Sequence, residues 1–245
     1  MITSEKISTS SQPQVSVAEH ITAILPAYNE NSLISGVLDV LSQVDILDEI
    51  LVIDDGSRDS TRDTVVKSAA RDTRIRLICH AKNRGKGQAI YTGWKNNHSD
   101  ILLLLDADLI NLKPVQVEAL ICPVLDGEVD MTLGLFRHGR LSTDLSHWAT
   151  PWLTGQRCLR SELLDDVNRS AAQGYGLETA ITVAASLNGW RTQRIWWEGV
   201  SHPPSENHRG FFLGIANRIK MYSQIIKAWL TSGGLKMLMP GRRKD

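Results

Sequence analysis

Ile101-Leu-Leu-Leu-Leu-Asp106-Ala107-Asp108 is the stretch whose reading decides the fold. Five aliphatic residues in a row predict a buried strand, too short to cross a membrane. The run stops at two carboxylates spaced i and i+2, and in an extended chain those side chains leave the same face. A buried strand ending in two acids suits a hard divalent cation, because magnesium and manganese prefer oxygen ligands. Two ordinary solvated aspartates would give the same letters, so the surrounding chain has to decide.

Working outward, the pattern repeats. Ile21 to Leu25 reads as a short strand ending at Pro26-Ala-Tyr28-Asn29-Glu30, with Asn29 placed to cap a helix carrying Leu33, Ile34, Val37, Leu38 and Leu41. Ile50 to Ile53 reads as a strand ending in Asp54-Asp55-Gly56-Ser57, and Ser57 or Asp59 can cap a helix to about Arg71. Ile75 to Cys79 is a third strand, followed by Asn83-Arg-Gly-Lys86-Gly87 and a helix to about Asn97. Alternating strands and helices predict an α/β fold with a mostly parallel sheet covered on both faces. Ligands of such sheets bind at the carboxyl ends of the strands, where these four loops should converge.

Beyond 101–108 the reading expects a helix from Pro114 to about Leu125, a strand from Val129 to Phe136 and a polar loop, 137–144. It then expects helix over 152–165 and from Tyr175 to Leu187, a strand from Arg191 to Trp197, and an amphipathic helix over 210–230. Residues 1–19 are expected to form a flexible tail, 20–230 one domain (a 20–125 half and a 126–230 half), and 231–245 a basic tail. Six of the seven tryptophans follow residue 147, which marks the second half as different.

At 245 residues, 42% hydrophobic and 22% charged, the composition is that of a globular domain with a sizeable core. Net charge is zero, yet from Arg209 onward eight residues are basic and one, Asp245, is acidic. Such a tail can face something anionic. Three cysteines without metal spacing point to a reducing compartment. No signal peptide or spanning segment is visible, so a cytoplasmic protein is expected.

The ordered set Leu25-Pro-Ala-Tyr-Asn-Glu30, Val52-Ile-Asp-Asp-Gly-Ser57, Asn83-Arg-Gly-Lys-Gly87 and Asp106-Ala-Asp108 resembles the family 2 glycosyltransferases of GT-A fold over roughly residues 20–230. The resemblance implies a nucleotide-sugar donor. Pro26 to Glu30, with Tyr28, would lie along the nucleoside, and Glu30 near the ribose. Asp55 would accept hydrogen bonds from base or ribose, although capping and turn formation compete for Asp54 and Asp55. Lys86 between two glycines ahead of a helix favours a phosphate. Asp106 would orient the ribose or a metal-bound water, and Asp108 would bind Mn2+ or Mg2+ directly.

Gly139-Arg140-Leu-Ser142-Thr143, Thr154-Gly-Gln-Arg157, Gly174-Tyr-Gly-Leu-Glu178 and Val200-Ser-His202 are similar to glucosyl-3-phosphoglycerate synthases and to dolichol- or polyprenyl-phosphate sugar transferases. By that resemblance His202 completes the metal site; a histidine packed beneath Pro203 and Pro204 is the competing reading. Arg140, Ser142 and Thr143 match a loop that holds the acceptor's phosphate or carboxylate, or form an exposed hairpin. Glu178 would orient or deprotonate an acceptor hydroxyl, or serve as a favourable acid in a helix's first turn. The Glu-Asp pair of many inverting members is absent, so the stereochemical outcome stays open.

The expected activity is metal-dependent hexosyl transfer from UDP-glucose, or second from GDP-mannose, to polyprenyl phosphate or 3-phosphoglycerate. No nucleic acid is expected as a partner; peripheral contact with an anionic membrane and a homodimer stay open. Sugar-1-phosphate nucleotidyl transfer would want a glycine-rich loop after the first strand, where this chain has Pro26-Ala-Tyr-Asn-Glu30. A non-catalytic nucleotide-binding module is disfavoured by the intact Lys86, Asp106 and Asp108.

Overall fold

The structure is a computed structural model, and it describes residues 19–137, 154–167, 176–203 and 230–231. In chain order the elements are β1 (Ile21–Ala27), α1 (Ile34–Leu41), β2 (Glu49–Asp54), α2 (Thr61–Ala69), β3 (Ile75–Cys79), α3 (Lys86–Lys95) and β4 (Ile101–Leu104). Then follow α4 (Pro114–Leu125), β5 (Met131–Arg137), β6 (Arg157–Arg160), a 3-10 helix (Ser161–Asp166), α5 (Gly176–Asn188) and β7 (Thr192–Glu198).

The strands form one seven-stranded sheet in the order β3-β2-β1-β4-β6-β5-β7. It is mostly parallel: β1 pairs in parallel with β2 and β4, β2 with β3, and β5 with β7. Only β6 runs against its neighbours β4 and β5.

Period-2 geometry divides the apolar strands between two cores. Ile101, Leu103 and Leu105 join Ala23, Leu25, Ile50 and Val52 beneath α1 and α4. Leu102 and Leu104 join Ile24, Leu51 and Ile53 beneath α3 and α5, where Ile90 and Ile181 pack. Helix α1 buries Ile34, Val37, Leu38 and Leu41, the i, i+3, i+4, i+7 stripe that its sequence shows. Every residue of β4 is buried, and truncating one of its leucines to alanine should cost about 2–5 kcal/mol.

Three expectations need correction. Ser60, not Ser57 or Asp59, stands at the N-cap of α2, and it makes no side-chain cap hydrogen bond. Residues 157–160 are strand, not helix, and 161–166 are 3-10. The apolar pair Cys158-Leu159 is fully buried between β4 and β5, and sheet pairing on both sides outweighs the helical spacing around it. Asn29 caps no helix: α1 starts later, with Leu33 at its N-cap, and Asn29 sits in the left-handed region at φ +58°. There its side-chain oxygen accepts from Arg58 N–H at 2.8 Å, while its own N–H donates to Ser57 Oγ at 2.9 Å. The expected 210–230 helix lies outside the described residues but for its last residue, and the basic tail but for Thr231. Among the described residues no helix is long and apolar enough to cross a membrane.

Candidate metal and donor site

The carboxyl ends of β1, β2, β3 and β4 lie at one edge of the sheet, as parallel pairing requires. The loops that leave them are tied together. Glu30 N–H donates to Thr61 Oγ1 at 2.8 Å and Asn31 N–H to Asp59 at 3.2 Å, which joins the loop after β1 to that after β2. Asp55 ties the second loop to the third. It is buried, and its carboxylate accepts from Arg84 N–H at 2.9 Å, Gly85 N–H at 2.7 Å and the His80 Nδ1 side at 2.6 Å. Gly56, at φ +76°, lets the loops close: a Cβ there would meet Lys82 backbone at 2.7 Å. Asp55 thus holds the loop that precedes α3, and His80 is part of that latch.

Beyond β4 the chain delivers Asp106 and Asp108, both partly buried, with Ala107 buried between them. Residue 202 reaches them because Ser201 and Ile110 form a small antiparallel bridge. His202 Nδ1 lies 3.0 Å from Asp108 Oδ1, and Nε2 lies 3.7 Å from Asp106 Oδ2. Its side chain is 36% exposed, with its ring edge-on to Phe136 at 5.1 Å between centroids, so it is not a core histidine. Burial pushes the His202 pKa down, but its hydrogen bond to Asp108 and the charges of Asp106 and Asp108 raise it overall.

One ligand atom each from Asp106, Asp108 and His202 fall within 4.8 Å of one another. Side-chain torsions can close that span to the roughly 4 Å between opposite ligands of a small divalent ion. Two carboxylates and an imidazole fit Mn2+ or Mg2+.

Lys86 opens α3 and stands beside this cluster. Its Nζ is 2.6 Å from Asp106 Oδ1 and 2.8 Å from Glu178 Oε1, the latter in the first turn of α5. Burial alone would lower the Lys86 pKa; Asp106 and Glu178 more than offset this and raise it. Burial likewise works against Asp106, yet the charges of Lys86 and His202 and hydrogen bonds from Lys86 and Gln156 hold it at about 2. Glu178 is 4% exposed, and its second oxygen, Oε2, is buried without a hydrogen-bond partner among the described residues. Glu30 is pushed up to about 7, first by burial and then by Asp108, Asp59 and Asp106.

The structure therefore brings Glu30, Lys86, Asp106, Asp108, Glu178 and His202 to one place. Pro26, expected in the loop, lies instead near the end of β1 and pairs with Ile53, while Tyr28 is partly buried just beyond the strand. Arg140, Ser142 and Thr143 lie outside the described residues. Sequence reasoning gave no role to Gly155, Gln156 or Arg157, although it singled out their motif. Gln156, fully buried, accepts from Asp106 N–H at 3.0 Å and donates Nε2–H to Asp106 Oδ2 at 2.8 Å. A Cβ on Gly155 would stand 2.6 Å from Lys86 Nζ and 2.8 Å from Asp106 Oδ1, so a side chain there would push on the Lys86–Asp106 pair. Arg157, also fully buried, donates to Thr154 O at 2.9 Å and to Thr182 Oγ1 at 3.0 Å. Burial lowers its pKa to about 10, against the opposing charge of Glu178. A helix drawn through 152–165 concealed all three.

The family model described as Glycosyl transferase family 2 matches residues 22–181. Glucosyl-3-phosphoglycerate synthase of Mycobacterium tuberculosis (strain CDC 1551 / Oshkosh) is 37% identical over 112 residues, 44% of this chain and 35% of the relative. A dolichyl-phosphate beta-glucosyltransferase of Trichomonas vaginalis (strain ATCC PRA-98 / G3) is 34% identical over 98 residues, 36% of this chain and 29% of the relative. The sequence matches thus span about a third of the length of these two curated relatives. Among solved structures, the Mycobacterium tuberculosis glucosyl-3-phosphoglycerate synthase in complex with Mn2+, UDP and phosphoglyceric acid superposes with TM-score 0.71. It is 25% identical, over 91% of this chain and 80% of that one. The same enzyme in complex with Mg2+ and UDP gives TM-score 0.70 at 25% identity, over 91% and 81%.

Proposed function

The chain belongs to glycosyl transferase family 2, and from that membership we propose that it moves a hexose from a nucleotide sugar to an acceptor bearing a phosphate or carboxylate. The observation that carries this reading is the convergence of Asp106, Asp108 and His202 beside the Lys86–Glu178 pair. UDP-glucose is the first donor and GDP-mannose the second. The relatives' names and their complexes with UDP and phosphoglyceric acid support that order.

In this reading Asp108 and His202 hold Mn2+ or Mg2+, with Asp106 beside them. The cation supplies Lewis-acid stabilisation of the departing diphosphate. The bond from the anomeric carbon to the donor phosphate oxygen breaks, and one to the acceptor oxygen forms. Lys86 keeps its positive charge next to the leaving group, where negative charge develops. Glu178 accepts a hydroxyl hydrogen from a substrate, a role that its buried Oε2, without a partner among the described residues, supports. Glu30, Tyr28 and Pro26 at the end of β1 border the nucleoside, and Asp55 acts by holding the loop of Lys86 in place. Arg140, Ser142 and Thr143 clamp the acceptor's anionic group. The reaction runs in the cytoplasm, free or against an anionic membrane face.

Titration calorimetry with UDP, with and without Mn2+, tests the donor site. Binding only with Mn2+ is expected; equal binding without it counts against the cation assignment. A screen of labelled UDP-glucose and GDP-mannose against 3-phosphoglycerate and polyprenyl phosphate tests transfer. Release of free hexose with no transfer to any anionic acceptor would overturn the acceptor class.

A further inference from the structure

The direction of β6 has a chemical purpose. Its ladder pairs Leu104 with Arg157 in antiparallel register. Continued past the ladder, that register sets Gln156 opposite Leu105 and Gly155 opposite Asp106. A parallel strand would bring its carboxyl end to this edge; the reversed strand brings the residues that precede it. Gly134 on β5 makes room on the other side, since a Cβ there would stand 2.9 Å from Gln156 Cβ. Thr154 is anchored to the same residue, donating to Gly134 O at 2.6 Å.

Gln156 then grips Asp106 twice, through the backbone N–H and through Oδ2. The amide can neither rotate nor flip without losing both contacts. Its NH2 faces Oδ2, so that oxygen receives a hydrogen bond, while Lys86 takes Oδ1 at 2.6 Å. Consecutive residues of an extended strand point to opposite faces, and Arg157 accordingly turns to Thr182 on α5. Thr182 in turn donates to Glu178 O at 2.9 Å.

Resting on the metal assignment of the proposed function, we propose that Gln156 is a positioning residue for the cation site. It fixes the rotamer of Asp106 so that Asp106, Asp108 and His202 converge before any cation arrives. Partners of this kind behind a metal ligand typically set metal affinity by about 10–100-fold. Gln156→Met keeps length and removes both hydrogen bonds. Gln156→Glu keeps shape and replaces the donor NH2 with an oxygen facing Oδ2.

The test uses the full chain and two readouts. Mn2+ alone is titrated and followed by electron paramagnetic resonance. Both variants should bind about 10–100-fold more weakly than the parent, while Asp54→Asn, outside this contact, stays within twofold. Separately, thermal unfolding of Gln156→Met, Asp106→Asn and the double variant gives a double-mutant cycle without metal. The two single changes should combine to less than their sum, as contacting residues do. Parent-like Mn2+ affinity in folded Gln156→Met and Gln156→Glu would overturn the proposal, as would strict additivity in the cycle. A parent that fails to bind Mn2+ would overturn the metal reading itself. The cycle would then still decide whether Gln156 holds Asp106.

Discussion

Glu30 stands half-buried in the field of Asp108, Asp59 and Asp106, and its carboxyl is raised from 4.5 to about 7. The folded state therefore holds a proton that the unfolded state has already released. Its stabilising contribution is complete below about pH 4.5 and is lost as pH rises toward 7. His202, also raised, adds a loss of the same sign above its ordinary value of 6.5. Urea unfolding in EDTA between pH 4.5 and 7.5 should show this decline, and Glu30→Gln should flatten its lower part. Saturating Mn2+ should restore stability at pH 7, because the cation offsets the acids that hold the proton on Glu30. At Asp108 the expectation is functional. Asp108→Asn should lower transfer activity by orders of magnitude and leave the melting temperature nearly unchanged, since Asp108 follows β4 on a loop. A melting temperature that falls with activity would assign Asp108 to the fold instead.

Two helix glycines separate packing from propensity at the level of elements. In α3, a Cβ on Gly93 would stand 2.6 Å from Ile24 Cγ2, and Ile24 is a fully buried, β-branched side chain with nowhere to move. Overpacking there costs about 1–3 kcal/mol, against about 1 kcal/mol of helix propensity gained. Gly93→Ala should thus be destabilising. In α1, Gly36 has nothing within 4 Å of an added Cβ, and Gly36→Ala should stabilise by about 0.5–1 kcal/mol. Chemical denaturation of the two variants should give opposite signs. The same elements show what the sequence could tell. Strands β1 to β4 were legible because each is a short apolar run that stops at a polar loop, and parallel packing on both faces demands such runs. The ion pair of Lys86 with Glu178 was not, because its partner lies 92 positions away and no local pattern encodes the approach of α5 to α3. Strand β6 escaped for a different reason. Its four residues carry arginine at both ends, and one of them, Arg157, is buried by contacts with Thr154 and Thr182 rather than by its own polarity. Asp108 and His202, expected as metal ligands, do come together with Asp106, yet the contact that Gln156 makes with Asp106 lies just before that unseen strand.

For the whole molecule, the converging loops couple ligand to global stability. A donor fragment that binds the folded state alone at 100 times its Kd adds about 2.7 kcal/mol. For a protein of this size each kcal/mol moves the melting temperature by about 2–4 °C. UDP with Mn2+ should therefore raise it by roughly 5–10 °C, and UDP with EDTA by far less. Differential scanning fluorimetry checks this; equal shifts with and without the cation would argue against a cation bridge. The insertion of β6 also bears on how the chain comes off the ribosome. Strands β1 to β4 are complete by residue 104, but the outer edge of β4 gains its neighbour only when residues 157–160 have been made. In that interval Ile101–Leu104, buried in the finished protein, offers unpaired backbone along an aliphatic edge, the kind of surface that recruits other chains. A nascent chain arrested before residues 157–160 have left the ribosome should accordingly depend on chaperones and aggregate without them, whereas one arrested after they have emerged should not. The strand that closes the edge of β4, from which Asp106 and Asp108 follow, is also the one that ends the chain's exposure during synthesis.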